Sequence, residues 1–174
     1  NPRWLGCAGM YCNPKGRVLA CLRLFRREDA LYLELPGALV ESTLARLRRY
    51  VLRAKTRLED ASDSLARMGV AGPNADVLLT KLLGAVPRTA DEVVQAPADS
   101  RAITVIRLPG STPRFELHGP LMAMQVLWAR LDANVIFTGP DPWRLLDMLA
   151  GTPVVYPETV EAFVPQMLNL QLLD

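Results

Sequence analysis

Histidine occurs once in this 174-residue chain, as His118, and no serine, cysteine or second histidine stands near it in sequence to complete a nucleophile-base set. His118 is therefore read as a surface or hydrogen-bonded structural residue. Cysteine is scarce too: Cys7, Cys12 and Cys21 are odd in number, lack a CxxC pair and have no metal-ligand neighbour at zinc-site spacing. They read as buried or half-buried thiols in a reducing compartment, and neither a metal ion nor a cluster held by this chain alone is expected. A GxxxxGK[ST] loop and a GxGxxG turn are both missing, which excludes nucleotide phosphates bound through those loops. No apolar run is long enough to span a membrane, and Asn1-Pro2-Arg3-Trp4 is neither a start nor a signal peptide. The expected compartment is the cytoplasm, with no membrane partner. Charge of one sign is missing as well: 20 basic against 18 acidic residues leave a net +2, too little to draw the chain to DNA.

Half of the residues are apolar, enough to bury a core as one domain or as two small intimate lobes. Residues Trp4 to Leu35 read as an antiparallel meander, turned at Asn13-Pro14-Lys15-Gly16, where Pro presets φ and Gly tolerates the closing conformation. Val18, Ala20, Leu22 and Leu24 fall on one face of the next strand, with Leu19, Cys21, Arg23 and Phe25 on the other. Val40, Leu44, Leu47 and Val51 predict a helix from about Gly37 to Arg53. Arg46, Arg49 and Arg53 lie opposite that stripe and read as a solvated face, with RNA phosphate as the rival reading.

A strand over Ser64 to Ala71 leads to a helix opened by Gly72-Pro73, with Asp76 in its first turn and Gly84 at its end. A polar stretch through Asp99 and Ser100 precedes a hairpin of Ile103 to Leu108 and Arg114 to Leu117. The helix after Gly119-Pro120 should bury Leu121, Met124, Trp128 and Leu131. Asp141, as N-cap before Pro142, starts another helix carrying Leu145, Leu146 and Leu149, stopped by Gly151 and Pro153. Val154 to Asp174 has little period and reads as loop and short helix. Leu33-Glu34-Leu35-Pro36-Gly37-Ala38-Leu39 and Phe115-Glu116-Leu117-His118-Gly119-Pro120-Leu121 correspond position by position. The match suggests two lobes of related β-β-α design, and convergence explains so short a match equally well. The fold class is α+β rather than a parallel α/β sheet. A first lobe is expected over residues 1-58, a second over 59-140, and a return segment over 141-174 packing on the first. Both ends read as cut, as in the middle of a longer protein.

Several stretches in order along the chain resemble one family. They are Asn13-Pro14-Lys15-Gly16-Arg17-Val18-Leu19-Ala20 with Leu22-Arg23-Leu24-Phe25-Arg26, then Arg49-Tyr50-Val51-Leu52 with Ala54-Lys55, and Gly72-Pro73-Asn74-Ala75. Trp143 to Pro153 with Ala150-Gly151, and Phe163-Val164-Pro165-Gln166-Met167 with Asn169-Leu170, complete the set. Together they resemble the YgfZ-like branch of the folate-binding superfamily that includes the glycine-cleavage T-protein (GcvT, an aminomethyltransferase). The resemblance implies the GcvT/YgfZ folate-binding fold, here lacking its C-terminal β-barrel and the cysteine-bearing signature expected beyond Asp174. It also implies a tetrahydrofolate-type cofactor, and partners among iron-sulfur enzymes or their assembly factors.

On that resemblance the chain is a tetrahydrofolate-binding accessory protein supporting iron-sulfur cluster enzymes and tRNA modification. An aminomethyltransferase is the first alternative, and an RNA or protein interaction module using the basic helix is the second. Glu41 falls near the acid that helps activate folate in T-proteins, or pairs with Arg48 on the surface. Where the family often has Glu before Ala-Gly, this chain has Leu149, which offers no acceptor. Asp147, two residues earlier, is a candidate folate contact or a solvated acid. Gln166 and Asn169 each donate and accept, which suits a pterin edge or the capping of an irregular tail. Glu41 is thus the catalytic candidate, and Arg48, Asp147, Gln166 and Asn169 are the cofactor-binding ones.

Overall fold

The structure, a computed structural model, describes residues 4–53, 55–97, 102–131 and 135–169. Asn1 to Arg3, Ala54, Asp99, Ser100 and Leu170 to Asp174, which figure in the sequence reading, lie outside the described residues. The described strands are β1 (Trp4–Leu5), β2 (Cys7–Cys12), β3 (Val18–Arg27), β4 (Ala30–Glu34), β5 (Ala66–Ala71), β6 (Glu92–Ala96), β7 (Ile103–Arg107) and β8 (Arg114–Gly119). The helices are α1 (Val40–Arg48), α2 (Ala75–Leu83), α3 (Leu121–Arg130) and α4 (Asp141–Leu149). The strands form two antiparallel sheets, one ordered β1-β6-β7-β8-β5 and the other β2-β3-β4. The architecture is mixed α and β with two sheets and four helices among the described residues.

Local chemistry explains most boundaries. Between β2 and β3, Asn13 Oδ1 accepts from the backbone N–H of Lys15 and of Arg17, both at 2.9 Å, and Gly16 takes φ 75°. Gly84 closes α2 in the left-handed region, φ 79°, donating its N–H to Thr80 O. Helix α1 is shorter than its apolar stripe predicts, giving way at Arg49 to a turn that leaves Tyr50 exposed. Helix α4 begins at Asp141 itself, with Pro142 one position further in, so Asp141 is not its N-cap.

The larger sheet is covered on both faces. On one, Phe115 and Leu117 of β8 pack with Leu79 and Leu83 of α2 and with Met124 and Leu127 of α3. Leu121 and Trp128, expected inside, are exposed, because Met124 and Leu127 set the buried stripe of α3. Trp128 stacks instead on Phe137, ring centroids 4.2 Å apart. On the other face lies the three-stranded sheet, with Phe25 of β3 packed among Val93, Ile106 and Leu108. The reading of Trp4 to Leu35 as one meander fails at its first step: Trp4 and Leu5 pair with Val93 and Glu92 of the larger sheet. The partner strand β6 was missed because Glu92 and Gln95 break the apolar run, although the strand is almost wholly buried.

Beyond α4 the chain returns to the smaller sheet. Val18 N donates to Phe163 O and Glu161 N to Val18 O, both at 2.9 Å. Val155 is fully buried with Val18, Ala20 and Leu39. Of the thiols, Cys7 is exposed, against expectation, while Cys12 and Cys21 are half-buried. Burial, reinforced by Cys12, pushes the Cys21 thiol up to about 11, which leaves it unreactive at neutral pH.

Helix α4 lies inside out relative to its sequence reading. Leu145 and Leu149 are exposed, whereas Asp147 faces inward and accepts from the fully buried Arg114 at 2.6 Å. Arg114 also donates to Pro109 O at 2.9 Å, and its guanidinium lies 5.8 Å from the Trp143 ring centroid. Trp143 in turn occupies the space over Gly69 of β5, where an added Cβ would meet its ring at 2.6 Å. Gly69→Ala is therefore expected to cost about 1–3 kcal/mol by displacing α4. In a urea-unfolding double-mutant cycle, Trp143→Ala should make the same glycine substitution much cheaper, whereas simple additivity would show that the two do not meet.

Candidate functional site

A cleft of about 1490 Å³ opens between the smaller sheet, β5 with the start of α2, and α4. Its walls carry Trp128, Phe137, Trp143 and Tyr156, and its floor carries Arg23, Glu34, Arg67 and Glu116. Register puts the floor together. Arg23 of β3 is the cross-strand partner of Glu34 on β4. On the facing sheet Arg67 of β5 pairs with His118, and Gly69 with Glu116, of β8. Arg67 is ion-paired to Glu34 and lies 3.7 Å from Glu116, while Arg23 is ion-paired to Asp91. His118 Nε2 stands 3.7 Å from Glu34 Oε2, both atoms buried and without a hydrogen-bond partner among the described residues, and the imidazole rests against Phe25, centroids 4.8 Å apart. His118 is thus off the surface, with its Nε2 unpartnered among the described residues.

The electrostatics follow from burial and neighbours. Desolvation, with Glu34 adding to it, pushes Glu116 up to about 8 against the pull of Arg67 and Arg23. Burial, with Arg67, Arg23 and Arg27 adding to it and Glu34 opposing, lowers His118 to about 4. Burial works against the charge of Arg67, but Glu34 and Glu116 more than offset it and raise its pKa. Glu34, Glu116 and His118 bring one potential metal-ligand atom each within 4.8 Å of one another. Arg67 already bridges the two acids and three arginines surround the imidazole, so a proton suits this charge balance better than a divalent cation does.

The structure brings only one of the sequence-derived site residues to the cleft. Asp147 lines it, held by Arg114 rather than solvated. Glu41 and Arg48 are exposed on α1 and do not pair with each other: Arg48 donates to Leu58 O at 2.9 and 3.3 Å. Gln166 and Asn169 are exposed on and just after a 3-10 turn, Pro165–Leu168, outside the cleft lining, with Asn169 capping it at φ 52°. Leu149 is 73% exposed and is not part of the cleft wall. The acids on the floor were missed, although the internal match had set Glu34 against Glu116, the two that meet.

Fold and site together define a two-sheet protein with an aromatic-walled, acid-floored cleft of ligand size. No family model matches the chain. Over 166 residues it is 28% identical to the tRNA-modifying protein YgfZ of Colwellia psychrerythraea, covering 95% of this chain and 49% of that protein. It is 29% identical over 164 residues to YgfZ of Sodalis glossinidius and 28% to that of Yersinia pseudotuberculosis, each covering 94% of this chain and 48% of the relative. The chain is thus similar to YgfZ proteins along nearly its whole length, and it spans about half the length of the curated relatives it matches. No helix among the described residues is long and apolar enough to cross a membrane.

The two perturbed groups give stability a pH signature with opposite signs. For Glu116 the fold favours the neutral form, so its contribution is present below the ordinary carboxyl range and lost as pH rises through about 8. For His118 the contribution is present above its ordinary value and lost as pH falls through about 4. Thermal melts should therefore show Glu116→Gln gaining several degrees on the wild type between pH 5 and pH 9. A pH-independent difference would show that Glu116 ionises freely in the fold.

Proposed function

We propose that this chain is the folate-binding part of a YgfZ-like accessory protein that supports iron-sulfur enzymes and tRNA modification, with tetrahydrofolate or a derivative held in the cleft between the sheets. The observation that carries the reading is the cleft itself, found in a chain that matches YgfZ proteins almost end to end. Its aromatic walls suit a flat ring, and its paired acids, with Glu34 Oε2 lacking a partner, suit the N–H groups of a pterin. The relatives' name, tRNA-modifying protein, supports the tRNA part of the proposal. The iron-sulfur part rests on the family resemblance. An aminomethyltransferase is less well supported: Leu149 stands where the family often has its acid, and it is exposed.

Two of the three tryptophans, Trp128 and Trp143, line the cleft. Titrating the chain with 5-formyltetrahydrofolate should produce a saturable change in tryptophan fluorescence, mostly lost in Trp143→Phe. At a ligand concentration 100-fold above Kd the fold should gain about 2.7 kcal/mol, a rise of several degrees in Tm. A flat titration together with an unmoved Tm would rule out folate in this cleft.

A further inference from the structure

We propose that Glu34 and Glu116, bridged by Arg67 on the cleft floor, read the lactam edge of a flat heterocycle, Glu116 donating to the ring carbonyl and Glu34 accepting from the adjacent N–H. This rests on the folate reading above and names the residues that would select the ring. Three observations point to it. The groups come from neighbouring positions on β8, β4 and β5, and their side-chain exposure rises from 7% at Glu116 through 17% at Glu34 to 56% at Arg67. Arg67 bridges both acids while Arg23 is already paired with Asp91, so the two acids carry a surplus negative charge that one proton bound on Glu116 removes, leaving an acid beside a carboxylate. The Trp143 ring is fixed over Gly69, the cross-strand neighbour of Glu116, which puts a flat apolar surface beside the polar pair.

An acid beside a carboxylate presents one donor and one acceptor. With the proton on Glu116, that pattern fits an adjacent C=O and N–H, whereas an edge bearing an amino group beside a bare ring nitrogen reverses donor and acceptor and requires the proton on Glu34 instead. The groups facing Glu116 are Arg23 on β3, Glu34 on β4, Arg67 on β5 and His118 on its own strand, with Arg27 beside the histidine and Asp147 of α4 beside Arg67. Burial, with Glu34 adding to it, outweighs Arg67 and Arg23 and raises Glu116 to about 8.

Equilibrium titration of the full chain with 5-formyltetrahydrofolate, and with a 2,4-diaminopteridine in which an amino group replaces the ring carbonyl, tests this. The wild type should bind the 4-oxo ligand at least tenfold more tightly than the diamino ring at pH 7. It should lose about tenfold of the 4-oxo affinity by pH 9, as Glu116 deprotonates. Glu116→Gln, which cannot ionise, should flatten that pH dependence, and Glu34→Gln should weaken 4-oxo binding at least tenfold at pH 7. In the free protein, the infrared carbonyl band of a protonated carboxyl should titrate near pH 8 and vanish in Glu116→Gln, a readout that needs no ligand. If the wild type binds the folate equally well at both pH values, or binds both rings alike, this assignment falls and the folate reading stands. If it binds neither ring at any pH, both fall.

Discussion

Two arginines on one strand hold the fold's two sheets together. Arg23 and Arg27 of β3 flank Phe25 on the face turned to the larger sheet, and both are buried. A buried guanidinium destabilises unless its charge and N–H groups are matched. Arg23 is matched by Asp91, a residue held at φ 60° just before β6. Arg27 donates to Ala102 O at 2.7 Å and to Thr104 Oγ1 at 3.0 Å, Thr104 donates to Gln95 Oε1 at 2.8 Å, and Gln95 Nε2 returns to Arg26 O at 3.2 Å. This circuit links β3 to β6 and β7. Breaking such a pair from one side costs about 3–5 kcal/mol, because the surviving charge stays buried.

The same packing creates the floor of the cleft. Once β3 faces the larger sheet, register places Glu34 of β4 on the side of Arg23 and turns Arg114, Glu116 and His118 of β8 toward them. Three ionisable side chains of one strand thus lose their water, and each settles differently. Arg114 finds Asp147, the imidazole stays neutral against Phe25, and Glu116 shares Arg67 with Glu34. Only the last of these faces a space large enough for a ligand. The perturbed groups and the cleft therefore have one cause: a second sheet and α4 laid on the polar face of β8.

Helix α4 shows how that layer was hidden. Its sequence offers Leu145, Leu146 and Leu149 as an apolar stripe, yet Asp147 turns inward because the buried Arg114 outweighs the burial of two leucines. Elements with local chemistry were legible: the Asn13 turn, the Gly84 cap, the hairpin of β7 and β8, and the period of α2. Where a helix or strand draws its orientation from a distant partner, as α3, α4 and β1 do, period alone chose wrongly. Of the site, only Asp147 was found directly. Glu34 and Glu116 were already aligned with each other in the internal match, but nothing local says that equivalent positions meet.

By itself the sequence determined an α+β chain without a nucleophile set or phosphate loop, along with its resemblance to YgfZ-like proteins, because those properties reside in residue types, short spacings and ordered motifs. The tertiary structure alone decided which polar residues are buried. Arg-Phe-Glu-Leu-His reads equally well as a strand with one wet face, and it becomes a buried charged network only when another sheet covers that face. Burial is a property of pairs of surfaces. The pKa values, the cleft and the acids on its floor therefore appear only once both surfaces are in place.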